Sequence, residues 1–173
     1  MITIHTPVNA ADVQRLRVGD CITILGDVLA GRDAVLPRLA ELSDEELAAL
    51  GICLRGAVIF HTAVSGAGIG PTSSNKVEIE GSIPALAERG VRIHVGKGRL
   101  KAETVDALAR AGSIFAVTPP VSALQTRAIL EQEVLAFPEE GMEALYRLRM
   151  GEDGLSAIVA IAHGQSIFER EGA

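Results

Sequence analysis

The sequence predicts an α/β fold, a mixed sheet or sheets with flanking helices. Three observations carry that prediction. The middle of the chain alternates short apolar runs with helical patterns, the order that parallel pairing through helical crossovers requires. Both ends carry hairpin-like runs, which make the sheet mixed rather than purely parallel. The core must be aliphatic: 48% of the residues are hydrophobic, yet the chain has four Phe, one Tyr and no Trp.

At 173 residues the chain is read as a single domain spanning 1–173, without repeat, linker or low-complexity stretch. Residues 1–19 begin extended and then place Val13, Leu16 and Val18 among polar neighbours. Gly19-Asp20 reads as a turn. Cys21–Leu25 is a strand with Ile22 and Ile24 on one face. Gly26-Asp27 reads as a hairpin turn into Val28-Leu29-Ala30. From Asp33 the spacing of Leu36, Leu39 and Leu42 predicts a helix. Ser43 and Glu46 form a capping box for a second one, which stops at Gly51.

Gly56–Phe60 is a buried strand, and the Gly/Ser/Thr/Pro-rich stretch 62–75 reads as the longest irregular loop. Ser82 with Pro84 in the first turn opens a helix to Gly90. Val91–Val95 is a strand, Lys101–Ala111 a helix ending at Gly112, and Ile114–Val117 a strand. Ser122–Leu130 reads as helical and Val134–Phe137 as a short strand. Residues 145–150 fit either type. Ala157–Ile161 is the last buried strand, and Gly164-Gln165 turns the chain into Ser166–Phe168.

Charge and composition exclude several functions. A net charge of −6 argues against a nucleic-acid binder, which needs a basic face to displace phosphate counterions. The two cysteines, Cys21 and Cys53, cannot build a disulfide framework and are expected to be buried thiols. No apolar run approaches the roughly 18 residues of a membrane span. Met1–Pro7 lacks the basic-then-apolar pattern of a signal peptide, so the cytoplasm is the expected compartment. The four histidines, His5, His61, His94 and His163, show no metal-ligand spacing. His94 lies inside a strand and reads as structural. A mean hydropathy of +0.30 fits either a partner-covered surface or a well-filled aliphatic core.

Three polar clusters each follow a predicted strand, where ligands bind in open α/β sheets. In Gly31-Arg32-Asp33, the guanidinium suits a carboxylate; an ordinary surface Arg beside a capping Asp is the alternative. In the run from Gly66 to Lys76, glycines free backbone N–H groups to face an anion, and Thr72, Ser73 and Ser74 add hydroxyls. A simple loop would have the same composition. In Gly96-Lys97-Gly98, a cation stands between residues that permit close backbone approach, or a solvated lysine sits on a turn. Glu139, Glu140 and Glu143 read as a solvated helix start.

Taken in order, these pieces resemble the β subunit, or C-terminal domain, of the iron–sulfur hydro-lyases, class I fumarase and L(+)-tartrate dehydratase. The resemblance runs through Leu16–Asp20, Leu29–Asp33, Leu54–Ile59, Gly70–Ser74, Gly96–Gly98, Phe137–Ala144 and Ala157–Ile161. It implies a swivelling β/β/α domain that closes over a site shared with an α subunit. That partner would carry a [4Fe-4S] cluster through three cysteines, and this chain would bind no cofactor itself. It also implies roles. Arg32, Gly70, Thr72, Ser73, Lys76, Gly96 and Lys97 would face the substrate, with Thr72 and Lys97 catalytic.

One residue and two residue pairs depart from the family pattern. Ser73 stands where a second Thr is usual, Lys76-Val77 where an Arg-Met pair is usual, and Thr62-Ala63 where Gly-Pro is common. The implied activity is addition or removal of water on a small dicarboxylate, fumarate/malate or tartrate. A non-catalytic carboxylate-binding module is the alternative. The expected partners are the cluster-bearing α subunit and the dicarboxylate, in a hetero-oligomer. A homodimer is the alternative for the isolated chain, and neither nucleic acid nor membrane is a partner.

Overall fold

A computed structural model describes residues 1–72, 76–119 and 122–172, with the backbone alone at 68, 70–72, 76–79, 122–123 and 170–172. Its strands are β1 (Ile2–His5), β2 (Cys21–Gly31), β3 (Val58–Ser65), β4 (Gly68–Thr72), β5 (Ile93–Gly96), β6 (Ile114–Val117), β7 (Ile129–Ala136), β8 (Leu145–Ala162) and β9 (Gln165–Ser166). Its helices are α1 (Ala10–Arg15), α2 (Leu36–Glu41), α3 (Asp44–Ala49), α4 (Lys76–Glu88), α5 (Ala102–Ala111) and α6 (Ser122–Arg127). The fold is mixed α/β, as the alternation predicts. β1, β2, β3, β5 and β6 pair in parallel, and β8 runs antiparallel to β2, β6 and β7.

The pairings close on themselves. β2 pairs β3, β3 pairs β5, β5 pairs β6, β6 pairs β8, and β8 returns to β2. Alternate residues then face the inside and the outside of a ring. Val28, Ala30, Val58, Phe60, Ile93, Val95, Ile114 and Ala116 share one inner core with Leu148, Leu155, Ala157 and Val159 of β8. The intervening Leu29 and Ile59 pack outward against Val35, Leu36 and Leu39 around α2, Leu47 of α3 and Leu86 of α4. Phe115 and Ile161 pack outward against Ile83 and Ala87 of α4 and Val105 and Leu108 of α5. Among the described residues, no helix is long and apolar enough to cross a membrane.

Several expectations are corrected. Gly26-Asp27 is no hairpin turn: β2 runs through it as one strand. Gly26 has φ +98, and a Cβ there would collide with Thr6. It absorbs a bulge where the β2–β8 register shifts between Ile24 and Gly26. Gly154 (φ +62) stands at the same break, against Thr23 and the Ile24 carbonyl. Turn-forming residues mark a bulge as readily as a hairpin, and local sequence does not separate them.

The described part of the 62–75 stretch, through Thr72, is not an irregular loop. It continues β3 and returns as β4, with Thr62 opposite Thr72 and Ser65 opposite Gly68. Residues 145–150 are the first part of the 18-residue β8. β7 begins at Ile129, where a helix was expected to continue, and it ends at Ala136. α4 starts at Lys76, well before Ser82, and carries Pro84 inside it; the buried Ile83, Leu86 and Ala87 hold it against the sheet across the missing N–H. Both cysteines are exposed. Cys21 alternates with buried Ile22, and Cys53 lies between buried Ile52 and Leu54, so each points outward.

Candidate active site

Register fixes where the sequence-derived site residues fall. Gly31 of β2 lies opposite His61 of β3, Phe60 lies opposite Val95 of β5, and Gly96 lies opposite Val117 of β6. The parallel strands therefore run out in one row. The next residues are Arg32, Thr62, Lys97 and Thr118. β4 folds back on β3, so the Thr72 backbone pairs with Thr62 at this edge. Arg32 and Lys97 are separated by two strand spacings, on the order of 10 Å between backbones. The structure thus brings Arg32, Gly96, Lys97 and the backbones of Gly70 and Thr72 to one end of the sheet. Lys76 opens α4, the helix that crosses from β4 to β5. Ser73 lies outside the described residues.

The two cations are held differently. Arg32 has a side chain 23% exposed, with Nε 3.6 Å from Glu143 Oε1. Lys97 is exposed, and no ion pair reaches it among the described residues. The segment after Lys97 is tied down through its backbone: Lys101 N–H donates to Glu80 Oε1 of α4 at 2.8 Å. Glu80 is buried, and its Oε2 accepts no hydrogen bond.

Sequence reasoning missed three features of this end. The first is a histidine pair. His61 Nε2 and His94 Nδ1 lie 3.1 Å apart, and both residues are buried. Burial lowers the His61 pKa to about 4. Burial first, and the neighbouring His61 second, push His94 well below its ordinary value. Both rings are therefore neutral at pH 7, and one N–H lies between them. His61 Nδ1 and His94 Nε2 find no partner. The residues are 33 apart in sequence, and only the pairing of β3 with β5 makes them neighbours.

The second is the Glu80 anchor, which rests on the contact between α4 and the loop after β5. The third is the acidic segment Pro138–Glu143, a 3₁₀ turn rather than a freely solvated helix start. Glu139 and Glu140 pair with Arg38 at 3.0 and 3.3 Å, and Glu143 faces Arg32. A backbone hydrogen bond first, and Arg38 second, lower the Glu139 pKa.

Cys21 and Cys53 lie on separate segments, and no three His, Cys, Asp or Glu among the described residues group to hold a metal ion. Two cavities, of about 390 and 450 Å³, lie at the opposite end of β3, sharing Gly51, Ile52, Cys53 and Arg55.

The sequence pattern of the family described as fumarase C-terminus matches residues 1–171. The chain is 28% identical over 173 residues to the L(+)-tartrate dehydratase subunit beta of Escherichia coli K12, covering 94% of this chain and 84% of that protein. It is 27% identical over 176 residues to a putative L(+)-tartrate dehydratase subunit beta of Methanocaldococcus jannaschii, covering 91% and 86%. It is also 27% identical over 184 residues to a putative class I fumarate hydratase of Geobacillus stearothermophilus, covering 98% of this chain but 34% of that longer protein.

Proposed function

Because this chain belongs to the fumarase C-terminus family, we propose that it is the β subunit of a cytoplasmic hydro-lyase that adds or removes water on a small dicarboxylate, fumarate/malate or tartrate. The observation that supports this most directly is the register row, which carries Arg32, Thr62 with its partner Thr72, and Lys97 to one sheet edge. In this reading the rest of the site, including the [4Fe-4S] cluster, belongs to an α subunit.

The work of this chain follows from its side chains. Removing water from a hydroxy-dicarboxylate takes a proton from the carbon next to a carboxylate and breaks the neighbouring C–O bond. Negative charge gathers on that carboxylate as the proton leaves. Arg32 presents a planar fork that binds a carboxylate through two parallel hydrogen bonds. Lys97 supplies a compact positive charge where the second carboxylate or the developing charge lies. Gly70 and Gly96 leave room for backbone N–H groups to approach the substrate. The Thr72 hydroxyl takes part in proton transfer. Alone it is a poor base, so an acidic group of the partner is needed to take the proton onward. Ser73 keeps a hydroxyl beside it, and Lys76 adds a cation without the fork of an Arg.

That last substitution favours one other reading. Lys in place of Arg weakens bidentate recognition, as expected of a carboxylate-binding module that has lost its chemistry. Anaerobic purification of this chain with its partners from its own cells separates the two. An iron-containing partner, with fumarate/malate or tartrate turnover in the eluate, supports the hydro-lyase. A chain recovered without partner or iron, yet binding a dicarboxylate, supports the module.

A further inference from the structure

Arg32 is unusual in how its guanidinium is enclosed. Its Nε is shut off from solvent and has no hydrogen-bond acceptor. Among the described residues, the charged group that reaches that atom is Glu143, whose Oε1 stands 3.6 Å away, just outside hydrogen-bond range. The two terminal nitrogens make no hydrogen bond or ion pair with the described residues. One edge of the guanidinium thus faces a fixed carboxylate, and the fork has no partner among the described residues.

Glu143 is itself held. Phe137 leaves β7 in a left-handed conformation, φ 56, and turns the chain across α2. Arg38 of α2 stacks on the Phe137 ring at 4.1 Å and pairs with Glu139 and Glu140. At the far end the Tyr146 hydroxyl donates to the Gly141 carbonyl at 3.1 Å, and Ala144 is buried. Residues 137–144 therefore form a strap pinned at both ends, with Glu143 projecting from it toward Arg32. Its sequence, Phe-Pro-Glu-Glu-Gly-Met-Glu-Ala, has no role in the proposed chemistry.

We infer that Glu143 is a positioning residue for Arg32: its carboxylate holds the Nε edge of the guanidinium and leaves the two-nitrogen fork aimed at the substrate carboxylate. This rests on the reading of Arg32 as the carboxylate grip. A guanidinium free to rotate about its long side chain meets a carboxylate in the wrong plane most of the time. A fixed acceptor on the Nε edge removes that freedom without using the fork. An orphaned Nε–H is also costly where it is buried, so a shift of a few tenths of an ångström toward Glu143 is favourable when substrate closes the fork.

Two measurements test this. The first uses the full chain alone and needs no activity. In ¹⁵N NMR, the Arg32 Nε–H should exchange slowly with solvent in the wild type, and faster, at a shifted frequency, in Glu143→Ala. An unchanged signal overturns the contact. The second uses the complex with its partner subunit. Glu143→Ala should raise KM about tenfold with kcat within about twofold, Glu143→Gln should restore most of the loss, and neither should add to Arg32→Lys. If Arg32→Lys itself leaves KM unchanged, the reading of Arg32 as the carboxylate grip fails. If Arg32→Lys raises KM and Glu143→Ala does not, the positioning role fails. A fall in KM in Glu143→Ala would make Glu143 a competitor of the substrate and also overturn it.

Discussion

Arg32 and Lys97 leave the same sheet edge two strands apart, but the molecule treats them in opposite ways. Arg32 follows the 11-residue β2, is mostly covered, and is faced by a carboxylate on a pinned strap. Lys97 follows the four-residue β5, stands exposed between Gly96 and Gly98, and its loop is tied to α4 by the backbone bond from Lys101 to Glu80 and the ion pair between the same residues. The arginine arm is organised before any ligand arrives. The lysine arm is left to be ordered by what binds against it. A binding group gains from being preset, since freedom lost on binding weakens affinity. In the proposed enzyme, a charge that acts in the transition state has to fit a geometry completed by both subunits.

The largest effect should come from the lysine arm. Lys97→Met removes the exposed ammonium without opening a cavity. In the complex, kcat should fall by about 100- to 1000-fold, the size of losing one charge-stabilising donor, while the thermal midpoint of the chain stays where it was. Turnover within about threefold of wild type would place Lys97 outside the chemistry and break the comparison at its stronger end.

Between the two arms lies the His61–His94 pair, and it predicts an acid-sensitive core. In the folded chain, burial keeps His61 neutral down to about pH 4. In the unfolded chain an ordinary histidine takes up its proton near pH 6.5. The unfolded state therefore gains protons first, so stability is full above about pH 6.5 and is lost as the pH falls toward 4. For His61 alone the loss is about 3 kcal/mol. His94, lowered in the same direction, steepens it. Urea midpoints between pH 6.5 and 5, above the range where carboxylates titrate, should fall steadily in the wild type. They should fall with a shallower slope in His61→Leu. A flat wild-type profile would mean that the pair accepts protons in place.

How much of this was legible in the sequence depended on the distance over which each feature is decided. The strands Cys21–Leu25, Ile93–Val95 and Ile114–Val117 are visible because apolar alternation is local. The Ser43–Glu46 capping box forms as its spacing predicts, with both of its hydrogen bonds present. Arg32 and Lys97 could be picked out because each follows a readable strand. Gly26 was misread because a bulge and a hairpin turn ask for the same residue; the choice is made by β8, more than 120 residues downstream. Cys21 was misjudged because apolar neighbours in a strand alternate in direction and report the opposite face; Cys53 lies in an extended loop, between buried Ile52 and Leu54, where the same alternation leaves it exposed. The histidine pair, the Glu80 anchor and the strap over Arg32 all join segments far apart in sequence that only tertiary packing brings together. The second half of the Gly66–Lys76 cluster gained no structural account beyond its backbone, because Ser73 to Asn75 lie outside the described residues.

The smallest prediction sharpens the contrast most. Glu80→Ala removes the acceptor of the Lys101 N–H. It also removes a buried carboxylate whose Oε2 accepts no hydrogen bond and faces the Lys101 ammonium at 4.0 Å. The two changes oppose each other in stability. A lost hydrogen bond to a charged acceptor costs about 1.5–3 kcal/mol when its partner stays dry, but Lys101 is exposed and water can replace the carboxylate there. Relief of the unbonded buried oxygen offsets part of the remainder, so the net loss should be about 1 kcal/mol or less by urea denaturation. Positioning has no such offset. With the anchor gone, the turn that carries Lys97 is held by β5 at one end and by the start of α5 at the other but loses its tie to α4, and kcat in the complex should fall about threefold, with KM for the dicarboxylate unchanged because Arg32 is untouched. A rise in KM instead would show that the two arms are coupled through α4, which runs from the Lys76 end of the site down to the core beneath both.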